Sequence, residues 1–427
     1  LELTAYSKEQ LIALEQELAQ AYAGYRQAGL NLDLTRGKPG GDQLDLSNAL
    51  DGILQGNYRA ADGTDVRNYG GLEGLPEMRA LGAEMLGVKP SEIIAAGSSS
   101  LTLMYQYVQF CLWYGAQGHG TAWKNEGAAI KFLCPVPGYD RHFTICEDLG
   151  IEMLTVPMTA DGPDMDVVES LVKADPLIKG IWCVPKYSNP SGETYSDAVV
   201  TRMAGLGRIA GPNFRIMWDN AYVVHDLDDA PAVLANIMDA CRAQGTEHSV
   251  CITGSTSKIT FAGAGVAFAC LSESNLKHFK AWMSAMTIGP DKVNQLRHMR
   301  FLSNLEALRA HMQKHRALIQ PKFELVFKHL RAGLSGKGMC SWTEPKGGYF
   351  ISFDTLPGLA REVVRLTGEA GVKLTPAGST FPYKKDPQDC NIRLAPTFPK
   401  LAEIDQAMPV FVTAVQLATV RQRLQQI

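Results

Sequence analysis

From about residue 90 to 290 the chain reads as short apolar runs separated by helix-forming stretches, and no other feature limits the fold so strongly. The runs are EIIAAG, IKFLCP, IEMLTVP, IKGIWCVP, FRIMWDN, SVCITGSTSK and GVAFACLS, with a helix predicted from Ser99 to about Tyr114 after the first. Strands apolar on both faces must be covered on both faces, and the intervening helices supply that cover. The pattern therefore predicts an α/β fold with a mostly parallel sheet sandwiched by helices.

The flanks read differently. Ser7-x-x-Gln10 followed by Leu11, Leu14, Leu18 and Tyr22 predicts a capped amphipathic helix. After Gly29, LDLTRGKPG predicts a short strand running into a loop that delivers Arg36 and Lys38. From about 291 come long helical stretches (to about 334), then GGYFISFD, a helix, GVKLTPAG, NIRLAP and a closing helix, the pattern of a smaller α+β domain. A chain of 427 residues exceeds the usual single core, so three segments are expected. These are 1–45, an N-terminal helix and strand counted with the small domain; 46–290, the large ligand-binding domain; and 291–427, the small C-terminal domain.

Composition narrows the partner class. Forty-one Lys and Arg against forty-four Asp and Glu leave a net charge of −3, with no broad basic surface for nucleic acid or an acidic membrane. The nine cysteines are never closer than ten residues apart, which excludes a zinc ribbon or a CxxC redox pair and marks them as reduced core residues. The most apolar stretch, Leu101 to Tyr114, is shorter than a membrane span and contains Gln106 and Gln109. With no signal segment at the start, a cytoplasmic protein acting on small molecules is expected, with no metal.

In open α/β sheets ligands collect beyond the carboxyl ends of the strands, and the polar clusters fall there. AAGSSSLTLMY is a strand, a serine turn and a helix start, where backbone N–H groups and the helix dipole favour an anion such as phosphate. The next clusters are Asn189-Pro190 after IWCVP, and Asp219 and Tyr222 in WDNAY. Lys258 stands in STSK among small hydroxylic neighbours rather than among charges. A carboxylate, an amide, a phenol, a phosphate cradle and a lysine at successive strand ends are what an aromatic, phosphorylated aldehyde would need.

NPSGETYS, DNAY and STSK, in that order, resemble the fold-type-I, class I pyridoxal-phosphate aminotransferases. The resemblance runs from LTRGKPG to NIRLAPTFP. It is closest to a branch of bacterial aspartate aminotransferases similar to the catalytic domain of MocR-type regulators. It implies a PLP-transferase fold with a seven-stranded type of sheet, pyridoxal 5'-phosphate as cofactor, and a homodimer with shared active sites.

By that resemblance, Lys258 forms the internal aldimine and shuttles a proton. Asp219 pairs with the ring nitrogen, His142 bonds Asp219, and Tyr139 stacks on the ring. Asn189 and Tyr222 bond the phenolic oxygen. Ser99, Ser100, Ser255 and Ser257 hold the phosphate, with Tyr69 reaching across from the second subunit. Arg393 grips the substrate α-carboxylate, Asn189 is counted among the substrate-binding residues as well, Gly37 lets backbone approach the substrate, and Tyr349 and Phe350 line or support the wall of the small domain.

The family's phosphate-binding arginine, eight residues after the lysine, is Val266 here. The cradle is then left to neutral donors and the helix dipole unless another cation substitutes.

The expected reaction moves an amino group from an amino acid, aspartate first, to a 2-oxo acid such as 2-oxoglutarate. Arg36, Lys38 and Arg141 are the candidates for a distal carboxylate. Two rival readings stay open: another pyridoxal-phosphate reaction on the same scaffold, a β-lyase or decarboxylase, and a ligand-sensing module of a regulator. The second needs a DNA-binding domain, and the roughly thirty residues before LDLTRG are too few for a winged helix. His311-x-x-x-His315 has zinc spacing but lacks the adjacent Glu, and is expected on a solvated helix face. GAGVAF and GGLEG do not follow strands in a dinucleotide-binding context.

Overall fold

In the computed structural model, which describes residues 5–427, successive side chains of the central strands enter opposite cores. Leu133, Ile181, Ile216, Trp218, Ile252 and Phe268 belong to one core; Phe132, Trp182, Met217, Cys251 and Ala269 belong to the other. Each large side chain so buried contributes about 1.5–3 kcal/mol relative to exposure, which is why the two-sided runs do not remain loops.

The main sheet contains β2 (Ile93–Ala95), β3 (Lys131–Val136), β4 (Glu152–Thr159), β5 (Gly162–Pro163), β6 (Ile178–Cys183), β7 (Arg215–Asp219), β8 (Val250–Ser255) and β9 (Ala267–Cys270). Their order is β2-β9-β8-β7-β6-β3-β4-β5. From β8 to β4 the strands pair in parallel, while β9 is antiparallel to both its neighbours. All seven predicted strands are present, and β5 adds a two-residue antiparallel extension to β4.

One face of this sheet packs on α3 (Pro76–Leu86), α6 (Met165–Ala174), α7 (Asp197–Ile209) and α8 (Ile237–Gln244), joined by α10 (Lys292–Phe301) and the start of α11 (Leu305–Leu334). The other packs on α4 (Ser100–Trp113), α5 (Asp140–Asp148) and α9 (Glu273–Met283). A third core gathers α1 (Lys8–Gln27), the second half of α11, α12 (Ala360–Glu369) and α13 (Leu401–Gln425). They surround an antiparallel sheet of β10 (Cys340–Trp342), β11 (Ile351–Thr355) and β13 (Asn391–Leu394), beside the parallel pair β1 (Leu32–Asp33) and β12 (Val372–Lys373). The predicted capping box of α1 is formed: Gln10 N–H donates to Ser7 Oγ, and Ser7 N–H donates to Gln10 Oε1 at 2.8 Å.

One expectation is overturned. His311 and His315 are not on a solvated face but only 5% and 1% exposed. The helix α11 runs from the sheet-side core into the third core, so a face that would be wet on an isolated helix is covered here. All nine cysteines are free, seven of them buried. Among the described residues no helix is long and apolar enough to cross a membrane.

Candidate active site

Five strands end at one crevice. β2 runs into the turn at Gly97–Ser100, β3 into Tyr139, β6 into Asn189 and β8 into Lys258, while β7 ends on Asp219 itself. Strands that run the same way present their carboxyl ends on the same side, so residues distant in sequence converge there.

Asp219 is 2% exposed. Its Oδ2 accepts a hydrogen bond from His142 Nε2 at 3.1 Å, and its Oδ1 is buried without a partner. His142 cannot turn away: its ring lies stacked on Trp182, 4.3 Å between centroids, with Tyr139 edge-on at 4.9 Å. Lys258 Nζ lies 4.9 Å from the centre of the Tyr222 ring. Burial lowers the proton affinity of Lys258, opposed by the nearby Asp219 carboxylate. Burial also pushes the Tyr222 and Tyr139 phenols upward, so both hydroxyls keep their protons near neutral pH.

Above Lys258 opens a cavity of about 460 Å3. Tyr139, Asn189, Tyr222, Phe350 and Arg393 line it, and Arg36, Lys38 and Arg141 reach it from exposed positions. Arg393 is buried on β13, its guanidinium 4.7 Å over the Phe350 ring. Its Nη1 donates to Asp140 Oδ1 at 3.2 Å and to Asn189 Oδ1 at 3.4 Å, and its Nε has no partner. A Cβ on Gly37 would overlap the Phe350 ring, so only glycine lets this loop lie so close. Thr375 and Thr397 hold the loop by donating to the carbonyls of Thr35 and Lys38 at 2.9 and 3.0 Å.

The two serine segments meet. Ser257 Oγ donates to Ser98 O at 2.9 Å, and Ser257 N–H donates to Ser255 Oγ at 3.3 Å. Ser99 stands at the N-cap of α4 without a side-chain bond to the helix, and Ser100 opens its first turn. Val266 is buried in the sheet-side core, and its N–H donates to Thr256 Oγ1 at 2.9 Å. That position therefore offers the cradle no charge. Tyr69 does not line the cavity of its own chain: it is 83% exposed, on a loop held by Lys292 Nζ through the carbonyls of Asn68 and Gly70.

Sequence reasoning missed several groups. Asp140, next to Tyr139 in GYDRH, is among the described residues the one acid lining the cavity, and it pairs with Arg393. His225, three residues beyond Tyr222, is buried and donates to Lys258 O at 3.4 Å; burial and the neighbouring Lys258 push it down to about 3. Reading on from the two motifs could have found both. Gln43 gave no local signal, and the i, i+4 spacing of His311 and His315 was read as a solvated face, because the partners of all three lie on distant segments.

The family model described as aspartate amino-transferase matches residues 6–427. An aspartate aminotransferase of Corynebacterium glutamicum is 43% identical over 417 residues, covering 97% of this chain and 96% of that protein. A Mycolicibacterium smegmatis protein, provisionally described as an aminotransferase, is 48% identical over 414 residues, 96% of each. The crystal structure of an aspartate transaminase from Corynebacterium glutamicum superposes with a TM-score of 0.95 at 42% identity, covering 99% of both chains.

Proposed function

Since the chain belongs to the aspartate amino-transferase family, we propose that it is an aminotransferase for dicarboxylic amino acids, with aspartate as donor and a 2-oxo acid such as 2-oxoglutarate as acceptor. The observation that carries the substrate reading is the charge of the cavity: one buried guanidinium, Arg393, with Arg36, Lys38 and Arg141 at the rim. Two carboxylates at opposite ends of a small molecule match such a distribution, and a bidentate guanidinium is suited to the inner one.

The cofactor is pyridoxal phosphate, and the residues present fit it. The bare, buried Oδ1 of Asp219 is the acceptor that a protonated ring nitrogen satisfies. The joined serine segments and the N-terminus of α4 offer neutral donors for the phosphate. Asn189 and Tyr222 supply donors beside Lys258, and Tyr139 a flat face. When bound, the cofactor supplies an electron-withdrawing ring that accommodates the electron pair left on the substrate Cα.

The chain's own residues do the rest. Asp219, held by His142, fixes a negative charge at the end of β7 and keeps the proton it faces in place. Lys258 Nζ, its proton affinity lowered by burial, is available as a nucleophile and then carries the Cα proton. Arg393 binds the α-carboxylate, for which its Nη1 exchanges Asp140 for the substrate. The rings of Phe350 and Tyr139 line the cavity wall beside Lys258 and supply its apolar surface.

The assembly belongs to the same reading: a homodimer in which Tyr69 of the partner subunit completes each phosphate site. Support comes from the exposure of Tyr69 near Met286 and Ile288, large apolar groups 47% and 62% exposed on the segment whose Gly289 packs on Gly70. Initial rates with aspartate, glutamate, alanine, tyrosine and leucine as donors to 2-oxoglutarate, read as glutamate or the product oxo acid, test the function. Aspartate is expected to lead. A lead by tyrosine or leucine would remove the dicarboxylate reading and leave the aminotransferase in place.

A further inference from the structure

Two consecutive carbonyls behind the active-site lysine collect four donors from distant parts of the fold. Ile259 O accepts from His311 Nε2 and His315 Nε2, each at 2.8 Å. Lys258 O accepts from Tyr349 OH at 3.3 Å and His225 Nε2 at 3.4 Å. A carbonyl can only accept, so both histidines on α11 carry their proton on Nε2. Their 3.2 Å separation follows from sharing one acceptor rather than from a bond between them.

The other side of His315 is specified as well. With Nε2 protonated and the ring neutral, Nδ1 is an acceptor, and Gln43 Nε2 donates to it at 3.1 Å. The same amide nitrogen donates to Tyr349 OH at 3.1 Å, while Gln43 Oε1 accepts from Gly40 N–H at 3.1 Å. Gly40 lies two residues beyond Lys38, on the loop that forms one wall of the substrate cavity. Burial pushes His315 down to about 4 and lowers His311 too, so both rings stay neutral near pH 7.

We propose that His315, paired with His311 and oriented by Gln43, is a positioning residue for Lys258. It clamps the main chain just beyond the lysine so that the side chain alone moves during turnover, and ties that clamp to the substrate loop at Gly37–Gly40. The inference rests on the reading of Lys258 as the residue that bonds the cofactor and carries the proton. Neither histidine lines the substrate cavity, so neither is a catalytic residue. The chain of bonds runs from loop to lysine through Gly40, Gln43, His315 and Ile259 O, and Gln43 Nε2 branches to Tyr349 OH, which donates to Lys258 O.

The test exploits which nitrogen matters. His315→Gln puts an N–H where Nε2 stands; His315→Asn puts it at the level of Nδ1, too short to reach Ile259 O. Single-turnover rates with aspartate, steady-state KM, and amide hydrogen exchange of residues 256–262 in the cofactor-free protein are measured for both, with melting temperature as a control. The Gln variant, which keeps the bond to Ile259 O but offers Gln43 no acceptor at the level of Nδ1, is expected to behave as Gln43→Leu does, with a smaller loss than the Asn variant. The Asn variant is expected to lose between about tenfold and a hundredfold in single-turnover rate, the range that a misplacement of about 1 Å costs. Its KM should change little, and exchange at 256–262 should rise.

Gln43→Leu, which leaves both rings in place but frees Nδ1, is expected to shift in the same direction. Equal behaviour of the Gln and Asn variants, or a folded Gln43→Leu variant with parental rate and exchange, overturns the proposal. Borohydride labelling separates the two levels. A label away from Lys258 in the parent overturns the reading beneath; a label on Lys258 with silent variants overturns only the clamp.

Discussion

His142 Nε2 donates to Asp219 Oδ2 across 3.1 Å in a space closed to solvent, and the second carboxylate oxygen is left bare. A buried carboxylate oxygen without a partner costs free energy unless a ligand supplies a donor, so this half-satisfied pair marks where a cationic group is to bind.

Replacing Asp219 by Asn should leave the cofactor bound and the fold intact. The rate of Cα-proton transfer, read as single-turnover conversion to the amine form of the cofactor, should fall more than about a hundredfold, since fixed charge of this kind is commonly worth roughly 3 kcal/mol. A loss below about tenfold would mean that another group sets the charge at this end of the site.

Replacing Arg393 by Lys should weaken all amino acids alike, because a point charge cannot reproduce a two-point grip. Changing Arg36, Lys38 and Arg141 singly to Gln should identify the distal partner: one of them should penalise aspartate and glutamate by about 2 kcal/mol while leaving alanine unaffected. The measurement is kcat/KM for each donor in the four variants. Equal losses for alanine and aspartate in every rim variant would contradict a distal carboxylate site.

Strand ends made the crevice legible. Seven apolar runs predicted seven strands because their two-sided hydrophobicity leaves a sandwiched sheet as the only cover, and Asp219, Asn189 and Lys258 could then be placed at carboxyl ends. The short strands β5 and β10 were not legible: Gly162–Pro163 and Cys340–Trp342 are too short for a period to show. His315 was misplaced for a different reason. Its sequence neighbours Lys314 and Arg316 suggest a wet face, whereas the packing of α11 between two cores, a long-range fact, decides its environment. Asp140 was visible but passed over, because its partner Arg393 lies more than two hundred and fifty positions along the chain.

Acid should destabilise the fold through its buried histidines. His225 and His315 sit at about 3 and about 4, below the value near 6.5 of an unfolded histidine. The unfolded chain therefore binds protons first as pH falls, and the stability these rings contribute is whole above about 6.5 and is lost on the way down to their folded values. Each should lose up to about 2 kcal/mol between pH 7.5 and 5. Urea unfolding of the parent and His315→Gln at both pH values checks this: the parent should lose more. Equal or smaller loss in the parent would contradict neutral burial of this ring.

Sedimentation at micromolar concentration should show a dimer, since Tyr69, Met286 and Ile288 are large apolar side chains left exposed on one chain. Tyr69→Ala should weaken retention of the cofactor phosphate while leaving each chain folded. A fully active monomer would contradict a shared site.

Borohydride reduction of the yellow holoenzyme, followed by digestion and mass analysis, tests the central claim most directly. The visible band should disappear, and the cofactor mass should be found on the peptide that carries Lys258, in the segment following β8. Cofactor fixed to any other lysine, or released unattached after reduction, would contradict the assignment of this crevice as the active site.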